Sequence, residues 1–179
     1  MSKDVTELLH ADHQKVRELF FQFSKADSDK EKNMLVKQIL TELYIHAEVE
    51  EKIVYPEVEN EAEEGEQLIG EAENEHRVVK FLMAELSKMS AGSEDFDSKV
   101  TVLCELVNHH IREEEKEMFE KLRESGADLE GLAEEVAAKK AELQEKPLPA
   151  MHATLEIAGD SAKKPYPSKS ASKAKKKSA

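Results

Sequence analysis

Two stretches of this chain, 64 residues apart, carry the same pattern of a histidine, a glutamate pair one turn later, a lysine and then an aromatic residue. The first runs from His46 through Glu50, Glu51 and Lys52 to Tyr55, and the second from His110 through Glu114, Glu115 and Lys116 to Phe119. A further histidine pair, His13 and His76, repeats at an offset of 63. The chain therefore reads as two similar halves, each holding one lone His followed by one His-x-x-x-Glu. Residues four apart stand one turn above each other on the same helix face. Each His-x-x-x-Glu thus aims an imidazole and a carboxylate at a single point.

The periodicity places this repeat on helices. Val5, Leu8, Leu9, Val16, Leu19, Phe20 and Phe23 predict a first helix over 4–24. Ser28 followed by Glu31 is a capping box that opens a second helix, expected to stop before Pro56. A third is expected over 63–89, with Gly65 and Gly70 in its first turns. A fourth runs from about Glu94 to Gly126, which stands where a C′ glycine belongs. The short link at 90–95 implies antiparallel neighbours. The predicted fold is all-α: an antiparallel up-down four-helix bundle over 1–126. An accessory helix at 127–146 adds a narrow stripe of Leu129, Leu132, Val136 and Leu143, laid against the outside. Residues 147–179 read as a linker and a disordered low-complexity tail.

Bundle helices bury positions that recur in alternating steps of three and four. That seam reads Leu9, His13, Val16, Phe20 on the first helix and Ile39, Leu43, His46, Glu50, Ile53 on the second. It reads Ile69, Ala72, His76, Val79, Met83 on the third and Val100, Leu103, Val107, His110, Glu114 on the fourth. Each apolar face is interrupted at mid-height. An ionised glutamate in such a core costs several kcal/mol unless it is paired, and the seam would bury two of them among four imidazoles. The groups available to neutralise them are one another, water or metal ions. Six ligands exceed a tetrahedral zinc site, mixed imidazole and carboxylate donors suit iron or manganese, and two carboxylates able to bridge point to a pair of ions. The alternative is a buried polar network without metal.

Charge supports the handling of cations. From Gly159 onward seven Lys stand against one Asp, a surplus of six, so the preceding 158 residues carry −19 of a net −13. A body that acidic repels nucleic acid and anionic membranes; the Lys-rich tail would touch phosphates only weakly. The one cysteine, Cys104, leaves no intramolecular disulfide, and no apolar run is long enough to span a bilayer. The expected location is the cytoplasm.

The stretches LLHADHQKVRELF, HAEVEEKIVYP, EAENEHRVVKFLMAEL and HHIREEEKEMFEKLR resemble the hemerythrin-like HHE cation-binding family across about residues 5–125. The resemblance implies two iron ions, ahead of manganese or zinc, bound by His13, His46, Glu50, His76, His110 and Glu114, with the glutamates bridging. The oxygen-carrying hemerythrins have a second His on the third helix, where this chain has Ala72 and Lys80, and their fourth-helix acid lies five residues after its His rather than four. One ion is thus expected to keep an open or solvent position, unless Glu73 reaches in.

Several residues are set aside. His10 is expected at the surface or rim, and His109 offers an alternative pair with Glu113, over which the repeat and the register of Leu103 and Val107 choose His110 with Glu114. His152 falls in the linker, Cys104 reads as a small core residue, Tyr55 as a packing residue or one lining an entry path near one end, and Glu51 and Glu115 either orient ligands or face solvent. An iron pair of this kind would bind or react with O₂, peroxide or nitric oxide. A sensor or reservoir whose metal occupancy controls bundle stability is the second reading, and an interaction module tethered by the tail the third. Nothing resembles a pocket for an organic substrate, and no phosphate loop or nucleophile elbow is present.

Overall fold

The computed structural model of the chain describes residues 4–61 and 65–151. Helix α1 spans Val5–Lys25 and α2 spans Asp29–Val49. A widened π turn, Glu50–Val54, carries α2 on into α3, Tyr55–Glu61. Helix α4 spans Gly65–Leu86 and α5 Phe96–Glu113, a second π turn at Glu114–Met118 leads into α6, Phe119–Glu124, and α7 closes the series at Leu129–Gln144. No strand occurs among the described residues. The expected disorder of the tail and the placing of His152 lie outside them.

Local chemistry sets most of these ends. Asp4 accepts a hydrogen bond from the Glu7 amide at 3.0 Å and Ser28 accepts one from the Glu31 amide at 3.3 Å, each satisfying an orphan donor of a first turn. Gly126 ends α6 in the left-handed region at φ +85°, where a side chain would be strained. Gly65 opens α4 under a tighter constraint: a Cβ there would meet the Val58 carbonyl oxygen at 2.1 Å.

The expectation that the second helix stops before Pro56 is corrected, since the helix continues to Glu61. A proline lacks the N–H and crowds the carbonyl one turn back, and a widened turn relieves both demands. The second half forms the same turn with no proline after it, so Pro56 exploits the turn rather than causing it.

The bundle pairs α1 with α2 and α4 with α5, and sets α1 against α5 and α2 against α4. Its interior is two apolar clusters with a polar layer between. One gathers Val16, Phe20, Phe23, Ile39, Leu43, Met83, Phe96 and Leu103, and the other Val5, Leu9, Val54, Tyr55, Val58, Ile69, Phe119 and Leu122. Fully burying a side chain of this size contributes about 1.5–3 kcal/mol, which supports a costly layer between the clusters. Helix α7 lies on α1, α2 and the first π turn through Ala133, Val136 and Leu143. The chain then crosses to the first cluster, where Leu148 and Met151 pack.

Candidate metal centre

The structure brings all six expected residues into the layer between the clusters. His13, His46, Glu50, His76, His110 and Glu114 are each buried, Glu50 completely. Within each half the imidazoles meet nitrogen to nitrogen: His13 Nε2 lies 3.1 Å from His46 Nε2, and His76 Nε2 lies 3.0 Å from His110 Nε2. Each carboxylate then divides its oxygens between the two pairs. Glu50 sets Oε1 3.1 Å from His46 Nε2 and Oε2 3.4 Å from His76 Nε2. Glu114 sets Oε2 3.3 Å from His13 Nε2 and Oε1 3.3 Å from His110 Nε2.

These donors fit a pair of cations. Both oxygens of Glu50 and Oε2 of Glu114 are buried without a hydrogen-bond partner, which is costly for an ionised group. An octahedral shell with bonds of about 2.1 Å places neighbouring donor atoms about 3 Å apart, close to the spacing found here. His13, His46, Glu50 and Glu114 form one such cluster, and Glu50, His76 and His110 another.

The outward nitrogens are held in turn. His13 Nδ1 lies 2.9 Å from Glu115, His76 Nδ1 2.8 Å from Glu51 and His110 Nδ1 2.8 Å from Glu75, while His46 Nδ1 faces Asp12 at 3.6 Å. A carboxylate on Nδ1 fixes the ring and leaves Nε2 free to point inward. Each acid has a cation or a second imidazole behind it. Arg17 and His10 meet Glu115, Lys80 meets Glu51, His109 meets Glu75 and Lys140 meets Asp12.

The layer is also electrostatically self-consistent. Burial would push the His46 imidazole down, but the Glu50 charge and the Asp12 and Glu50 carboxylates override it and raise it to about 10. His76 and His110 are raised for the same reason, against their burial, by Glu50 and Glu51 and by Glu114 and Glu75. Burial and the Glu114 charge would raise Glu50, yet His46 and His76 hold it below its ordinary value. Glu114 is held further below, chiefly by His110, against a burial that acts the other way. Protons on imidazole thus neutralise the buried acids when nothing else does, and a cation must displace them.

Sequence reasoning left Glu51 and Glu115 open and missed Asp12, Glu75 and the role of Tyr55. Asp12 and Glu75 obey the same 63-residue offset as the histidines that follow them, so the repeat held the signal. Tyr55 is 1% exposed, and its hydroxyl donates to Glu114 Oε1 at 3.0 Å and lies 3.3 Å from His76 Nε2. The cause is the π turn, whose backbone bonds join residues five apart, Tyr55 N–H to the Glu50 carbonyl. The residue five beyond the glutamate therefore returns to the seam, and Val54 is fully buried where Ile53 was expected. Glu73 is exposed and plays no part in the donor set. His10 and His109, each with a side chain about half exposed, stand at the rim.

An all-helical bundle with paired imidazoles and two carboxylates across its middle defines a helical cation-binding domain. The model of the hemerythrin HHE cation-binding domain matches residues 4–122, and the chain belongs to that family. It is similar to a DNA nickase of Nostoc sp., 28% identical over 145 residues, which span 80% of this chain and 41% of that one. It is also similar to an uncharacterized hemerythrin-like protein of Schizosaccharomyces pombe, 27% identical over 113 residues, 63% of this chain and 56% of the other. The chain thus spans about half the length, or less, of these curated relatives. Among solved structures it resembles the hemerythrin HHE cation-binding-domain protein of Mycobacterium kansasii that is a homolog of Rv2633c. That likeness has a TM-score of 0.69 and 26% identity, and covers 80% of this chain and 88% of that one. No helix among the described residues is long and apolar enough to cross a membrane.

Proposed function

We propose that the chain is a non-haem di-iron protein that binds or reacts with a small ligand of the O₂, peroxide or nitric oxide kind. The observation that carries this reading is the division of both carboxylates: Glu50 and Glu114 each offer one oxygen to each histidine pair. A single ion would not need that arrangement. His13 and His46 would hold one ion, His76 and His110 the other, and the glutamates would bridge. Iron, so held, supplies redox chemistry and positions at which small molecules bind.

The protein's own residues do the rest. Glu115, Glu51 and Glu75 fix the rings of His13, His76 and His110, Asp12 faces His46 at 3.6 Å, and the apolar clusters above and below exclude water. Tyr55 makes the halves unequal. Phe119, its repeat counterpart, stacks on His13 with ring centroids 5.7 Å apart and brings no donor, whereas the Tyr55 hydroxyl stands among the donors of the His76 side. That hydroxyl, rather than the exposed Glu73, is the seventh protein group at hand.

Elemental analysis of purified protein, with spectra of its oxidised form, tests the reading. Two iron per chain and oxygen-to-iron charge-transfer bands are expected; protein that folds equally well in chelator and holds no iron would refute it. Adding peroxide to the ferrous form then separates turnover from a single stoichiometric oxidation. A sensor or reservoir would instead show a melting temperature that tracks iron supply, since binding and folding are linked. A second reading follows from the Nostoc relative, which is named a DNA nickase. Nicking of supercoiled plasmid by metal-loaded protein would favour it, although the acidic body opposes contact with a phosphate backbone.

A further inference from the structure

The sequence shows nothing like a pocket for an organic molecule, but the folded chain has one. A cavity of about 210 Å³ lies beside the donor layer, on the side of the first apolar cluster. The imidazoles of His13, His46, His76 and His110 form its floor. Its walls are Val16 from α1, Leu43 and Ala47 from α2, Val79 and Met83 from α4, and Val107 and Ile111 from α5. Glu50 and Glu114 are not among its lining residues, so this space is separate from the bridging carboxylates. Tyr44, Glu48 and Lys80 also line it, and Pro149, Ala150 and Met151 lie against it.

We infer that this cavity binds a neutral, apolar organic molecule about the size of one substituted ring, held against the imidazole floor. Three features support that class of ligand. An apolar cavity of about 150 Å³ is known to stay dry and take up benzene, and this one is larger. Its walls are mainly apolar, with Tyr44, Glu48 and Lys80 the polar exceptions, and an anion would lie beside imidazoles whose positive charge is already balanced by Glu50, Glu114 and the outer carboxylates. The floor is different: it presents ring edges, three of them tied down on their far side by carboxylates, so the guest lies next to whatever the donors hold. That proximity to a metal pair rests on the function proposed above, while the binding itself does not.

Calorimetric titration of the full chain with toluene and with benzoate, in chelator-treated and iron-loaded forms, tests the inference. Saturable one-to-one binding of toluene with a negative heat-capacity change, and none of benzoate, is expected in the chelator-treated form. No saturable toluene binding in either form, or equal binding of benzoate, overturns it. Val79→Phe should fill the space and weaken toluene by about tenfold or more while iron per chain stays the same; undiminished toluene binding in that variant also overturns it. Should Val79→Phe not fold, Met83→Ala decides, because an enlarged cavity must shift preference towards butylbenzene over toluene, and an unchanged preference refutes the site. Toluene binding by a chain that never takes up iron would leave this inference standing and the di-iron reading fallen; iron uptake without toluene binding would do the reverse.

Discussion

The Tyr55 hydroxyl donates a 3.0 Å hydrogen bond to Glu114 Oε1 across the bundle, joining the first half of the repeat to the second. Burial, then the charges of Glu114 and Glu50, push this phenol well above its ordinary 10.0. It therefore stays protonated and acts as a donor while no cation is bound. The contact is also the point at which the twofold likeness of the two halves fails, because Phe119 has no hydroxyl to return to Glu50.

Tyr55→Phe should make the halves alike. A hydrogen bond to a charged group contributes about 1.5–3 kcal/mol, and the chelator-treated variant should lose about that much in urea unfolding. Two ions should still bind, but any visible phenol-to-iron absorption of the oxidised protein should vanish. Retention of that absorption would show the phenol to be a bystander.

Glu50→Gln and Glu114→Gln should each lower bound metal sharply, from two per chain towards one or none, because an amide cannot bridge as a carboxylate does. His10→Ala and His109→Ala, at the rim, should leave metal content unchanged. Plasma emission spectrometry on dialysed protein reads both, and equal losses from the two groups would show the donor set to be misassigned.

Loss of metal should change how stability depends on pH. Glu50 and Glu114 lie below their ordinary 4.5, so their contribution is present above that value and is lost as the pH falls through the lowered one. His46, His76 and His110 lie above their ordinary 6.5, so theirs is complete below 6.5 and is lost as the pH rises, for His46 through about 10. The chelator-treated chain should therefore be most stable between 4.5 and 6.5. The metal-loaded chain should instead gain on the alkaline side, where protons no longer compete for imidazole. Urea midpoints of both forms across this range give the comparison, and parallel curves would contradict it.

Helix α7 reaches towards the centre through the contact of Lys140 with Asp12, which in turn faces His46. Asp12→Asn should weaken metal binding by about 10–100-fold, the usual effect of losing an outer carboxylate. Lys140→Met should act in the same direction and less strongly, seen as faster metal transfer to a chelator. If Lys140→Met changes only the melting temperature, α7 is a brace and no more.

Much of this was written in the sequence, and the reason is geometric. Spacings of three and four fix which residues share a helix face, so His13, His46, His76, His110 and their two glutamates were legible as one layer before any fold was known. The repeat offsets of 63 and 64 fixed the pairing of halves, and Ser28 with Glu31, and Gly126, marked helix ends. Tertiary structure alone decided what depends on groups distant in the chain. The π turns wound Tyr55 inward because the backbone there joins residues five apart, a departure that 3.6-residue periodicity cannot express. Glu115 found His13, and Glu51 found His76, only when the halves packed face to face. The apolar cavity needed four helices and residues 149–151 to enclose it, since no single segment carries an empty space in its own residues.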